Sequence, residues 1–206
     1  MGMLRKAVFF DKDGTLIDNI PYNVDPGRIT FAKGAVFCLR LLHAAGYALV
    51  VVSNQSGVAK GYYEENALGA VKEKLGRMCA EAGAPLVDLY YCPHHPDGVI
   101  PHYSISCTCR KPGPGLLFKA AREHGIDLSR SWVIGDILND VEAGHKAGCR
   151  TILINNGNET EWVLTEGRRP GFFVDDLAHA ALIVTSHDRF SPYTSPAEEV
   201  HDQQDA

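Results

Sequence analysis

No stretch of this sequence approaches the 18 or more consecutive apolar residues of a membrane span. The opening MGMLRKAVFF carries no signal-type apolar core or small-residue cleavage site, so export is not expected. Lys6 stands where a myristoylation signal needs Ser or Thr, which argues against a lipid anchor. A basic block is missing too. Lys plus Arg total 20 against 25 Asp plus Glu, a net charge of −5, and such a chain is poorly suited to nucleic-acid phosphates. No C-x-x-C pair occurs, which excludes a thioredoxin-type redox centre. There is no internal repeat. These absences leave a cytoplasmic globular protein as the expectation, with no nucleic-acid or membrane partner and a monomer as the default.

At 206 residues the chain suits one domain that buries roughly 70% of its unfolded surface and needs no disulfide framework. Cys38, Cys79 and Cys149 sit in apolar or small-residue stretches and read as reduced, buried side chains. Apolar runs at 6–10, 47–52, 86–91, 131–135, 151–155 and 172–174 predict strands. Helical periodicity falls between them, over 33–45, 64–82, 116–125, 136–148 and 176–184. The alternation predicts an α/β fold, a three-layer, Rossmann-like, doubly wound parallel sheet. Ligands of such sheets bind beyond the C-terminal strand ends, where strand order reverses. Residues 1–185 are assigned to this domain, and the polar, proline-containing segment 186–206 to a poorly ordered tail.

The strand ends carry the chemistry. The first leads into FFDKDGT, where Asp11 and Asp13 project to one side and Gly14 turns the chain. One carboxylate can attack while the other handles protons, and both can help hold a cation. An EF-hand loop fails on spacing, because Leu16 and Tyr22 occupy the positions that need Gly and Glu. The second strand ends in SNQSG, where Ser53 and Asn54 can hold a phosphate oxygen and Gly57 permits close backbone approach. In CRKPGPG, Lys111 can neutralise a phosphoryl group and Arg110 can grip one bidentately. The fourth strand ends in GDILND, with Asp136 expected beside Asp11 and Asp140 one helical turn later. Singly, each motif reads equally well as an acidic turn, a helix cap or a surface cation pair. Jointly they place a nucleophile, an acid/base, a phosphate clamp and an acidic Mg²⁺ site at one sheet edge.

A second constellation lies in YYCPHHPDGVIPHYSISCTCRKP. Cys92-x-His94 and Cys107-x-Cys109 are tight pairs twelve residues apart, and three thiolates with one imidazole close a tetrahedral structural Zn²⁺ shell. His95 or His102 can substitute for His94 on spacing alone. Zinc would then fix the loop that delivers Arg110 and Lys111. Neither the Asp13–Ser53 gap nor the Ser53–Lys111 gap has room for a cap domain, so the site should be open and the zinc loop the main insertion.

DKDGT, Ser53, Lys111 and GDILND resemble, in order, the four motifs of the haloacid dehalogenase superfamily of phosphohydrolases. The resemblance spans about residues 6–155. It implies Asp11 as nucleophile, Asp13 as acid/base, and Ser53 and Lys111 as phosphoryl-holding residues. It further implies Mg²⁺ bound by Asp11, the Asp13 carbonyl and Asp136, with Asp140 in support. SNQSGVAKGYY, CPHHPDG and CTCRKPGPG resemble the D,D-heptose 1,7-bisphosphate phosphatases of lipopolysaccharide precursor synthesis. That likeness implies Cys92, His94, Cys107 and Cys109 as zinc ligands. It also implies Arg110, Asn54, Ser56 and Gly57 as substrate-binding residues for a small phosphorylated sugar. Histidinol-phosphate phosphatases carry a similar zinc loop with a shorter spacer. The sequence departs from the heptose pattern at Ile137, where Lys is usual, and across 17–31.

Overall fold

The computed structural model describes residues 4–190. Six strands form one all-parallel sheet in the order β3-β2-β1-β4-β5-β6. They are β1 (Ala7–Phe10), β2 (Ala48–Asn54), β3 (Asp88–Cys92), β4 (Trp132–Gly135), β5 (Arg150–Ile154) and β6 (Phe172–Val174). The chain winds from β1 through β2 to β3 on one side, then returns to β4 and winds outward on the other, so the order reverses between β1 and β4.

The strands are apolar on both faces because helices cover both. Val8, Phe10, Leu49, Val51, Ile134 and Ile152 pack against α1 (Ala35–Ala44), α2 (Ala67–Glu81) and α5 (Leu177–Phe190). Their neighbours Ala7, Phe9, Val50, Val52 and Val133 pack against α3 (Gly115–His124) and α4 (Leu138–Lys146). Successive strand residues thus feed opposite layers, as the pleat requires. Among the described residues no helix is long and apolar enough to cross a membrane, and no cap domain interrupts either crossover.

Two boundaries differ from the sequence reading. The third strand begins at Asp88 rather than at residue 86 and runs on to Cys92, because its pairing with β2 spans Val50↔Asp88 to Asn54↔Cys92. The supposed tail begins inside α5, which extends to Phe190. His187 meets the Trp132 ring edge-on at 5.4 Å, a contact that carries the helix beyond its last apolar repeat. The remainder of that segment, 191–206, lies outside the described residues.

Candidate active site

Asp11 leaves the end of β1, and its N–H donates to the Ile134 carbonyl at 2.9 Å, which ties it to β4 at the switch point. Asp136 follows β4 directly. The chain between them turns at Gly14 with φ +85°, and a Cβ there would stand 2.3 Å from Asp136 Oδ2. Glycine is therefore what lets the two motifs touch. Gly135 serves the same purpose: its Cβ would fall 2.2 Å from Asp140 Oδ2. Asp11, Asp136 and Asp140 accordingly offer carboxylate oxygens within 4.8 Å of one another, all buried.

A single cation faces them. Lys111 is 3% exposed, donates to Asp11 Oδ1 and to the Val52 carbonyl at 2.9 Å, and forms an ion pair with Asp140 Oδ1 at 2.6 Å. Burial would depress its pKa, but the Asp11 and Asp140 carboxylates reverse this and hold it above the ordinary value. Three carboxyl groups against one ammonium leave negative charge where a phosphoryl group is expected. The all-oxygen donor set of Asp11 and Asp136, supported by Thr15 Oγ1 at 3.0 Å from Asp136 Oδ1, fits a hard divalent cation.

The same crowding sets a pH dependence. Burial, then the charges of Asp11 and Asp140, push Asp136 up to about 7. Burial, partly offset by Lys111, pushes Asp140 up to about 6. A carboxyl raised on folding binds its proton more tightly in the folded state, so its stabilisation is full below about pH 4 and is lost as pH rises through the folded value. Asp88 and Asp176, both lowered, act in the opposite sense but at more acidic pH. Protein dialysed free of Mg²⁺ is expected to lose Tm between about pH 5 and about pH 8, and added Mg²⁺ to raise Tm more at the higher pH. A Tm that climbs with pH across this window without Mg²⁺ would contradict the arrangement.

Asp13 sits at the mouth. Lys12 Nζ donates to its Oδ1 at 2.6 Å and Gln55 Nε2 to its Oδ2 at 3.0 Å. Its pKa is raised, by burial first, against the opposing effect of Lys12. Ser53, at the end of β2, accepts from Gln55 Nε2 at 2.8 Å, which leaves its own hydrogen free to donate to a phosphoryl oxygen. Beside Asp13 lies a cleft of about 240 Å³ walled by Tyr22, Asn23, Ser56 and Tyr63. Gly57 lies under the Tyr63 ring, where a Cβ would come within 2.3 Å. Asn54 also borders the cleft, yet its amide is engaged at both ends with the Lys111 main chain, each bond 3.0 Å. Its visible role is to hold Lys111. Arg110 stands apart from the carboxylates, with Nη1 on the His94 carbonyl at 3.4 Å. Ile137 stands at the N-cap position of α4 and carries no charge.

The Cys/His cluster forms as a compact knot. The sulfurs of Cys92, Cys107 and Cys109 lie 3.1–3.5 Å apart, and His94 Nδ1 faces Cys92 and Cys109 at 3.6 and 3.4 Å. These are close to the edges of a tetrahedron around Zn²⁺. Of the three histidines that spacing left open, His94 is the one present. His95 Nδ1 instead accepts the Asp97 N–H at 3.1 Å, and His102 lies edge-on to Tyr103.

Four contributors escaped the sequence reading. Lys12 and Gln55 hold Asp13. Asn158 Nδ2 donates to Asp136 Oδ2 at 2.7 Å, and Asn156 Nδ2 to the Gly14 carbonyl at 2.6 Å. Both asparagines follow β5, and their place just beyond a strand end is the sequence signal that marks them.

At the switch point of a doubly wound sheet, clustered carboxylates opposite a buried lysine suit phosphoryl transfer. Residues 108–180 match the HAD-hydrolase-like family model. The chain is 37% identical over 172 residues to D-glycero-beta-D-manno-heptose-1,7-bisphosphate 7-phosphatase of Pasteurella multocida, covering 83% of this chain and 91% of that protein. It is 32% identical over 156 residues to the D-glycero-alpha-D-manno-heptose-1,7-bisphosphate 7-phosphatase of Photorhabdus laumondii, covering 75% and 85%. The crystal structure of D,D-heptose 1,7-bisphosphate phosphatase from B. bronchiseptica, complexed with magnesium and phosphate, superposes with TM-score 0.72 at 29% identity, covering 88% and 99%. The chain belongs to the haloacid dehalogenase-like phosphatases, the family that includes these heptose-bisphosphate enzymes, and it is a phosphatase.

Proposed function

We propose that the protein removes the C7 phosphate of D-glycero-D-manno-heptose 1,7-bisphosphate. The observation that carries the mechanism is the buried Asp11 carboxylate held by Lys111 with Asp13 at the mouth of the same site. An Asp11 oxygen attacks phosphorus, the bond to the sugar oxygen breaks, and Asp13 gives that oxygen its proton. Asp13 then takes a proton from water, the water oxygen attacks phosphorus, and the Asp11–phosphoryl bond breaks to release inorganic phosphate. Ser53 and Lys111 hold the phosphoryl oxygens throughout. Asp11, Asp136 and the Asp13 carbonyl would hold Mg²⁺, which would supply positive charge to the transferring group. The Cys92, His94, Cys107 and Cys109 knot would hold Zn²⁺ in a closed shell, in a structural role.

Relatives named for both the beta and the alpha substrate make the anomer part of the test. Phosphate release with Mg²⁺ is measured on both anomers of the heptose bisphosphate, on histidinol phosphate and on simple sugar monophosphates. The expected result is a kcat/KM at least about tenfold higher for one heptose bisphosphate anomer than for any monophosphate. Preference for histidinol phosphate overturns the substrate assignment.

A further inference from the structure

Gln55 is 5% exposed, and its N–H is fixed to the Cys92 carbonyl at 2.8 Å. Both hydrogens of its amide nitrogen are in use, one on Asp13 and one on Ser53. A glutamine amide fits its cavity almost equally well turned over, and here the reversed form would set Oε1 against the Asp13 carboxylate. The Asp13 carboxylate, which can only accept, selects the productive sense, and at the far end Tyr63 Oη donates to Oε1 at 2.8 Å and anchors the amide there. The Tyr63 ring is itself held where only glycine at position 57 leaves room. With Lys12 on the other oxygen of Asp13, two donors on two oxygens fix the plane of that carboxyl group.

We propose that Tyr63 and Gln55 form a clamp that aims Asp13 at the leaving oxygen, which makes both of them positioning residues for proton transfer. The proposal rests on the acid/base role assigned to Asp13 above. It has a signature that a merely structural role lacks. Protonating the leaving group matters for an alkyl phosphate, whose alkoxide is a poor leaving group. It matters little for 2,4-dinitrophenyl phosphate, whose phenolate departs without a proton.

The test compares kcat/KM for a sugar phosphate and for 2,4-dinitrophenyl phosphate in Tyr63→Phe, Gln55→Met and, as reference, Asp13→Asn. This ratio ends at formation of the aspartyl-phosphate and is blind to its hydrolysis. A positioned general acid contributes on the order of 10²–10⁴-fold. Asp13→Asn is expected to show a loss of that order on the sugar phosphate and a far smaller one on the aryl ester. Tyr63→Phe, which removes one hydroxyl and keeps the ring, is expected to lose roughly tenfold on the sugar phosphate and less than about threefold on the aryl ester, with Gln55→Met showing the same pattern. If Asp13→Asn is selective but Tyr63→Phe loses equally on both esters, or loses nothing, the clamp is overturned. If Asp13→Asn itself loses equally on both, the acid/base role of Asp13 falls and the clamp with it.

Discussion

Lys111→Met is expected to destabilise the folded protein by about 3–5 kcal/mol and to lower kcat/KM at least about 10²-fold. The wild-type ammonium is buried, donates to Asp11 and to the Val52 carbonyl, and is paired with Asp140. Methionine fills much of the same volume but leaves the Asp11 and Asp140 carboxyl groups close together and largely buried without their cation. Arginine is a poor substitute, since a planar guanidinium cannot direct donors to three acceptors arranged around a point. Adding Asp140→Asn to Lys111→Met removes one of the stranded charges, so the double variant should regain much of the stability and little of the activity. Urea midpoints in Mg²⁺-free buffer and kcat/KM measured on the same preparations separate the two effects. An unchanged midpoint for Lys111→Met would mean that the carboxylates do not depend on this cation.

What the sequence revealed and what it concealed divide along a physical line. Asp11, Ser53 and Asp136 could be picked out because each follows an apolar run, and apolar runs in alternation with helical periodicity predict strands that share one edge; Lys111 stood out in CRKPGPG beyond the Cys/His loop. Spacing alone did not separate His94 from His95 and His102; the resemblance to the heptose phosphatases did. The choice turns on the direction in which each ring leaves a loop without regular structure. Gln55 was hidden for a different reason. Its importance comes from Asp13, 42 residues earlier, and from Tyr63, whose ring is placed by the absence of a side chain at Gly57. Asn54 shows the converse. Its position in SNQSG pointed to substrate, while both ends of its amide hold a backbone 57 residues away. The extent of α5 was missed because Ser186 and His187 are polar, and the Trp132 ring that His187 meets comes from another strand.

Removal of zinc is expected to disable the site without melting the sheet. The segment between Cys92 and Cys109 forms no helix or strand of its own and exposes Val99 (70%) and Ile105 (44%), so it has little apolar burial with which to order itself. Its fixed points are the four knot residues and a few bonds to the rest of the protein. Those bonds lead straight to the chemistry. The N–H groups of Val99 and Ile100 donate to the Ala59 carbonyl at 2.8 and 3.0 Å, and Tyr103 Oη donates to Glu65 at 2.6 Å, so the knot props the segment that carries Tyr63. At its other end the loop passes from Cys109 through Arg110 to Lys111. Chelating zinc with Mg²⁺ kept in excess should therefore raise amide exchange across 92–111 and 57–65 while β1 and β4 stay protected. It should also lower kcat/KM on the order of 10²-fold, the scale of an ångström-level misplacement. The strands pack chiefly on α1–α5; of the knot only Cys92 lies in the sheet, at the last residue of β3, while Cys107 and Cys109 pack against the core from outside it. Loss of exchange protection in β1 together with the loop would mean that zinc holds the fold, whereas unchanged exchange in 92–111 would mean that the knot needs no metal.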